Sequence, residues 1–215
     1  MAKQKKQQLK VMVSSSVYGI EELLERIFSI LTEMGYEVWM SHKGTLPVFS
    51  NQTAFQNCMD GVERCDLFLS IITQRYGSGV DEAGGLSITH KELLHAIELN
   101  KTRWILAHDH VVAARSLLQA LGYETSEQRR AVDFKKRNPV IDDIKIIDMY
   151  EAAIRHDVNM PDRAGNWVQK FINKDDALLY AQSQFGRYQE VEQFIKEQFG
   201  NHSAVKDSVE RRITK

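Results

Sequence analysis

The chain has 215 residues, enough for one well-packed core, and its 43% hydrophobic and 27% charged content is that of a globular protein rather than a disordered one. Its 28 Lys and Arg residues against 29 Asp and Glu leave a net charge of -1, which excludes the broad positive field that gathers nucleic acid or anionic lipid. No run approaches the ~20 apolar residues of a membrane span, and the basic start MAKQKKQQLK lacks the apolar stretch of a secretion signal.

Residues 1–8 read as a disordered basic terminus. Leu9 to Val13, LKVMV, is a strand that runs into the polar turn Ser14, Ser15, Ser16. Ile20, Leu23, Leu24, Ile27, Phe28, Leu31 and Met34 then recur at three and four residues, which predicts an amphipathic helix stopped by Gly35 at C′. Tyr36 to Met40 is a second strand. Strand, helix, strand is a βαβ unit, and its crossover implies parallel pairing.

A loop with Pro47 leads to a helix over Thr53 to Arg64 and a third strand, Asp66 to Ile72. The near-continuous apolar run of that strand is what cover on both faces produces. Cys58 and Cys65 lie outside any metal-binding spacing and read as buried thiols of a reducing compartment, so the expected location is cytoplasmic. A helix from about Ser87 to Leu99 and a fourth strand, Arg103 to His108, follow.

Val111 to Leu121 is helical in pattern, Glu124 to Asn138 is a charged segment, and Ile144 to Ile147 is read as a fifth strand. Helices are expected at Asp148 to His156, at Asp175 to Phe185 with Asn173 as N-cap and Asp176 three residues on, and at Arg187 to Phe199. Residues 200–215 form a polar tail. The fold expected is a doubly wound, flavodoxin-like α/β architecture with about five mostly parallel strands. It forms one domain over residues 9–199, of which 141–199 are a C-terminal helical extension.

In such sheets ligands bind beyond the carboxyl ends of the strands. That rule points to the serines after the first strand, the loop after the second, the RYGSG loop after the third and His108, Asp109 and His110 after the fourth. Ser14, Ser15 and Ser16 can hold a phosphate or ribose, or simply make the turn. They belong to neither a Walker loop nor a dinucleotide fingerprint. Arg75, Tyr76 and Gly77 offer a guanidinium, a phenol and open backbone, in a loop that is otherwise an ordinary surface turn.

Glu92 has two readings. On the first turn of its helix a carboxylate can stabilise or attack a ribose anomeric carbon. Thr89 and Glu92 also form T-x-x-E, the spacing of a capping box. The two histidines of HDH lack an evident third ligand, so neither metal nor cofactor is expected. No G-x-S-x-G is present, and neither cysteine has a histidine nearby.

Taken together, VMVSSSVYG, GYEVWMS, RCDLFLSIITQRYGSG and ITHKELLHAIELNK resemble an uncharacterised TIR-like family with a serine-rich turn after the first strand and an RYGS loop after the third. That family is similar in fold to TIR domains and nucleoside 2-deoxyribosyltransferases. The resemblance implies an N-glycosidase acting on nucleotides or nucleosides, NAD among them, in stress or antiviral defence. Glu92 is then the catalytic residue. Ser14, Ser15, Ser16 and Tyr18 would bind ligand on one side, and Arg75, Tyr76, Gly77, Ser87 and Thr89 on the other. The third serine stands where the family has threonine, and the loop before Glu92 is longer than in the transferases.

The expected partner is a nucleotide-like small molecule, with no nucleic acid or membrane, and a homo-oligomer stays open. The alternative is a non-catalytic module that senses a nucleotide or binds protein. The stripe Tyr188, Val191, Phe194, Ile195 and Phe199 would serve the latter, though core packing accounts for such stripes more often.

Overall fold

A computed structural model describes residues 8–77, 79–80, 85–135 and 139–188. Strand β1 (Lys10–Ser15) leads into helix α1 (Glu21–Glu33) and strand β2 (Glu37–Trp39). Then come α2 (Ala54–Arg64), β3 (Leu67–Ile72), α3 (Ile88–Glu98), β4 (Thr102–His108) and α4 (Asp109–Ala120). The chain continues through α5 (Ser126–Arg130), α6 (Lys145–Ala153), β5 (Val168–Phe171) and α7 (Lys174–Arg187).

The strands form one sheet in the order β2-β1-β3-β4-β5, every pair parallel. This is the flavodoxin-like doubly wound order, and its switch point lies between β1 and β3. Helices α1 and α7 cover one face, where Leu23, Leu24, Ile27 and Phe185 pack on Val11, Val13, Leu69 and Leu106. On the other face Val62 of α2, Leu93 of α3 and Ile146 of α6 pack on Met12, Phe68 and Ile105. All six residues of β3 are buried, which accounts for its unbroken apolar sequence.

Local signals set the element ends. Gly35 has φ +88°, its N–H bonds to Thr32 and that of Tyr36 to Leu31, a Schellman stop where glycine was expected. The Asn173 side chain accepts from the Asp176 N–H in a complete capping box at the start of α7.

The C-terminal third differs from expectation in one respect. Ile144 to Ile147 is not a strand: Ile146, Ile147, Met149 and Ala153 are the buried stripe of α6. A four-residue run, Ile-Lys-Ile-Ile, is too short to show a period of its own, and the preceding segment carries it onto the α3 side of the sheet, where helical packing is available. The fifth strand is β5, between the helices expected at Asp148 to His156 and Asp175 to Phe185, and it pairs with β4 from Ile105↔Val168 to His108↔Phe171. Only Phe171 of it is buried, so its sequence, VQKF, carries no strand pattern.

Residues 1–7, most of the helix expected over Arg187 to Phe199, and the tail 200–215 lie outside the described residues. Among the described residues no helix is long and apolar enough to cross a membrane.

Candidate functional site

The carboxyl ends of β1 and β3 open into a cleft of about 900 Å³. Its walls come from the β1 end (Ser14 to Tyr18), from Ser41, His42, Ala54 and Cys58 on the β2 and α2 side, and from Arg75, Gly77 and Gly79 after β3. Ser87, Ile88, Thr89 and Glu92 of the α3 start and Asp142 before α6 complete it.

Helix α3 begins at Ile88, with Ser87 as N-cap: its hydroxyl accepts from the His90 N–H at 3.2 Å. Glu92 is therefore the fifth residue of the helix, too far along to close a capping box with Thr89. That reading of T-x-x-E is overturned. Glu92 instead points inward, is 4% exposed, and accepts a 2.5 Å hydrogen bond on Oε2 from Ser14 Oγ. Cys58 lies in the wall of the same cleft. Burial raises the Glu92 carboxyl to about 7, against the pull of Ser14 and Cys58, which favour the anion.

Strand alternation divides the three serines. Ser14 and Ser16 share the side of Met12, which faces α2 and α3, and both are buried. Ser14 meets Glu92, and Ser16 Oγ lies 2.7 Å from Thr73 Oγ1, which also accepts from the Arg75 N–H. Ser15 faces the opposite way and donates to the Ile71 carbonyl at 3.0 Å. All three hydroxyls thus have protein partners, and Ser14 and Ser16 brace the cleft floor.

Arg75 lies across the cleft from His42. Its Nη1 is 3.9 Å from Asp142 Oδ2, beyond a hydrogen bond, and its guanidinium sits 5.8 Å from the ring centre of Tyr18. Tyr18 is 74% exposed at the lip. Asp142 Oδ1 accepts from the Tyr76 N–H at 2.8 Å and so ties the β3 loop to the segment before α6. Gly77 has φ +91°, a conformation open to glycine, and faces Thr89, Ser87 and Ser16. Gly79 rests on α3, where a Cβ would come 2.8 Å from Ile88 Cδ1.

Tyr76 does not line the cleft. It is buried, its hydroxyl accepts from the Ser87 N–H and is hydrogen-bonded to Nδ1 of His90 at 2.9 Å, and the two rings meet edge to face. Burial lowers His90 to about 4, so it is neutral at physiological pH. The phenol thus supports the loop from beneath; a loop sequence does not say which of its side chains turns inward.

His108 and His110 also stand apart from the cleft lining. His108 Nδ1 accepts from the His110 N–H to cap α4, and the His108 ring packs edge to face with those of His110 and Phe171. Among the described residues no three His, Cys, Asp or Glu side chains gather as a metal set.

Three wall residues with titratable side chains were not anticipated. His42, beyond β2, follows from the rule that the loops at strand ends line the site, and burial together with nearby Lys43 lowers its pKa. Cys58 sits at a helix position that pattern alone marks as core. Asp142 comes from a distant segment with no motif.

Fold and site together define a flavodoxin-like α/β protein with a carboxyl group buried in the floor of its switch-point cleft. The chain belongs to the family described as a domain of unknown function, DUF4062, whose model matches residues 10–176. No curated protein matches it in sequence. Among solved structures it is similar to a CMP N-glycosidase of Clostridium botulinum, BcmB, with 14% identity and a TM-score of 0.43 over 81% of this chain and 98% of that one. It is also similar to a conserved protein of Enterococcus faecalis V583, with 10% identity and a TM-score of 0.41 over 83% and 99% of the two chains.

Proposed function

We propose that the protein is an N-glycosidase of nucleotides or nucleosides, with Glu92 as the catalytic residue. One observation carries this reading: a buried carboxyl group, held by the Ser14 hydroxyl, in the floor of a cleft large enough for a nucleotide. In the reaction the bond from C1′ to the base nitrogen breaks, its electron pair leaves with the base, which takes up a proton, and water adds to C1′. The Glu92 carboxylate faces the positive charge that develops on the ribose. Thr89, Gly77 and Arg75 line the wall where sugar and any phosphate would lie, and Tyr18 is placed to cover the mouth.

Kinship with TIR-like domains and nucleoside 2-deoxyribosyltransferases is part of this proposal, supported by the serine turn, the RYGSG loop and the position of Glu92. So are NAD as one substrate, a role in defence, and a cytoplasmic location, the last supported by two buried free thiols.

The test is incubation of wild-type and Glu92→Gln protein with NAD, NADP, CMP, other nucleoside monophosphates and free nucleosides, with released base read by chromatography. Release by wild type, reduced at least ~100-fold in the variant, is expected. A folded wild type that binds a nucleotide without releasing base would replace this reading with a sensing module.

A further inference from the structure

The Ser14 hydroxyl has one proton, and that proton goes to Glu92 Oε2 across a 2.5 Å bond in the interior, Ser14 itself being 2% exposed. A hydroxyl so engaged cannot also donate to a phosphate or a ribose without releasing the carboxylate. We propose that Ser14 is a positioning residue: it holds Oε2 of Glu92 and leaves Oε1 as the oxygen that meets the bound sugar. This rests on the reading of Glu92 given above, and it takes Ser14 out of the set that binds ligand.

Both ends of the bond are braced. Strand β2 flanks β1 as far as Met12↔Trp39, so Ser14 and Ser15 run on beside β3, in register with Ser70 and Ile71. Ser15 turns to the other face and donates to the Ile71 carbonyl at 3.0 Å, and Ser16 meets the Thr73 hydroxyl at 2.7 Å, so the strand end is tied to β3 from both sides. On the helix side, Ser87 caps α3 and Leu93, next to Glu92, is wholly buried. A glutamate side chain has several torsions to order, and one bond between a fixed strand and a fixed helix selects among them.

Ser70 supplies an internal comparison. It pairs with Ser14 in the β1–β3 register, lies on the same face of the sheet and is wholly buried. Its hydroxyl, however, has no hydrogen-bond partner among the described residues. The titratable and charged side chains that line the cleft with Glu92 are Cys58 of α2, His42 beyond β2, Tyr18 before α1, Arg75 after β3 and Asp142 before α6. Cys58, pushed up to about 12 mainly by burial, keeps its proton throughout the range in which Glu92 titrates. Burial raises the Glu92 carboxyl to about 7 and the Ser14 bond opposes that rise, so losing the bond moves the midpoint further up.

The experiment titrates the Glu92 side-chain carboxyl by carbon-13 NMR, its signal assigned by its loss in Glu92→Gln. Wild type is compared with Ser14→Ala, with Ser14→Thr, which keeps the hydroxyl, and with Ser70→Ala, which removes the same atom from the neighbouring strand. The midpoint is expected to rise by about one pH unit in Ser14→Ala, to return in Ser14→Thr and to keep its wild-type value in Ser70→Ala. An unchanged midpoint in a folded Ser14→Ala, or an equal rise in Ser70→Ala, overturns the proposal. The titration needs no turnover, so a wild type that cleaves none of the nucleotides tested removes the glycosidase reading, while a shifted midpoint still assigns Ser14 to Glu92. Where base is released, Ser14→Ala is expected to lower kcat on the order of 10-fold with KM unchanged. A raised KM with kcat kept returns Ser14 to the ligand and overturns the positioning role.

Discussion

At the scale of the residue, Glu92 is a group whose position opposes stability. Its carboxyl is raised from an ordinary 4.5 to about 7, so between those values the folded chain holds a proton that the unfolded chain releases. Its contribution is fully present below about 4.5 and is lost as pH rises through about 7. Gln at this position accepts from Ser14 and never ionises. Glu92→Gln is expected to match wild type in urea unfolding at pH 4 and to exceed it at pH 8 by on the order of 3 kcal/mol. Equal stability at both values would mean that the carboxyl is not desolvated. A capping carboxylate would behave in the opposite way, because its removal destabilises. A group that weakens the fold at neutral pH and faces a cleft has the thermodynamic profile of a functional side chain.

The element that aims Glu92 is the first turn of α3. Ser87 caps it, and the Ser87 N–H is itself held by the buried Tyr76 hydroxyl, so the helix start is tied to the β3 loop. Ser87→Ala is expected to cost about 1 kcal/mol, read as a lower urea midpoint, and to lower any ligand affinity by tilting Glu92. Thr89→Ala is expected to leave the midpoint within about 0.5 kcal/mol, because its hydroxyl caps nothing. The reverse ranking would restore the T-x-x-E box. The same helix shows why motif reading is ambiguous here: Ser87 and Thr89 are both good N-caps, and they differ by two residues, enough to turn the carboxylate from solvent to core.

At the scale of the molecule, the sheet is completed by chain far from the site. Strand β5 closes the β4 edge, and α7 lays Phe185 against Trp104 at 4.6 Å and Tyr36 at 5.5 Å, with the Tyr36 hydroxyl donating to the Phe185 carbonyl at 2.7 Å. A chain ended after Ala153 keeps the whole cleft lining but leaves that face and the β4 edge open to water. It is expected to lose the near-UV circular dichroism of its aromatics and its cooperative thermal transition. A shortened chain that melts cooperatively would show that the cleft half folds alone. The expectation that residues 9–199 form one domain, with 141–199 as a C-terminal extension packed on it, is what this truncation tests.

The amino-acid order by itself determined the βα alternation, the parallel sheet, the stops at Gly35 and the cap at Asn173, and the strand ends where a site should lie. These are local signals: periodicity, caps and left-handed glycines act within a few residues and do not depend on what packs against them. The tertiary structure decided the rest. It made Ile146 and Ile147 a helix and VQKF the edge strand, because a short run takes its conformation from the surface it meets. It turned Tyr76 inward, brought Asp142 to the Tyr76 N–H and Ser14 to Glu92, and replaced a solvent-facing cap with a buried carboxyl. Those pairings join residues distant in the chain, and only close packing brings them within hydrogen-bond reach.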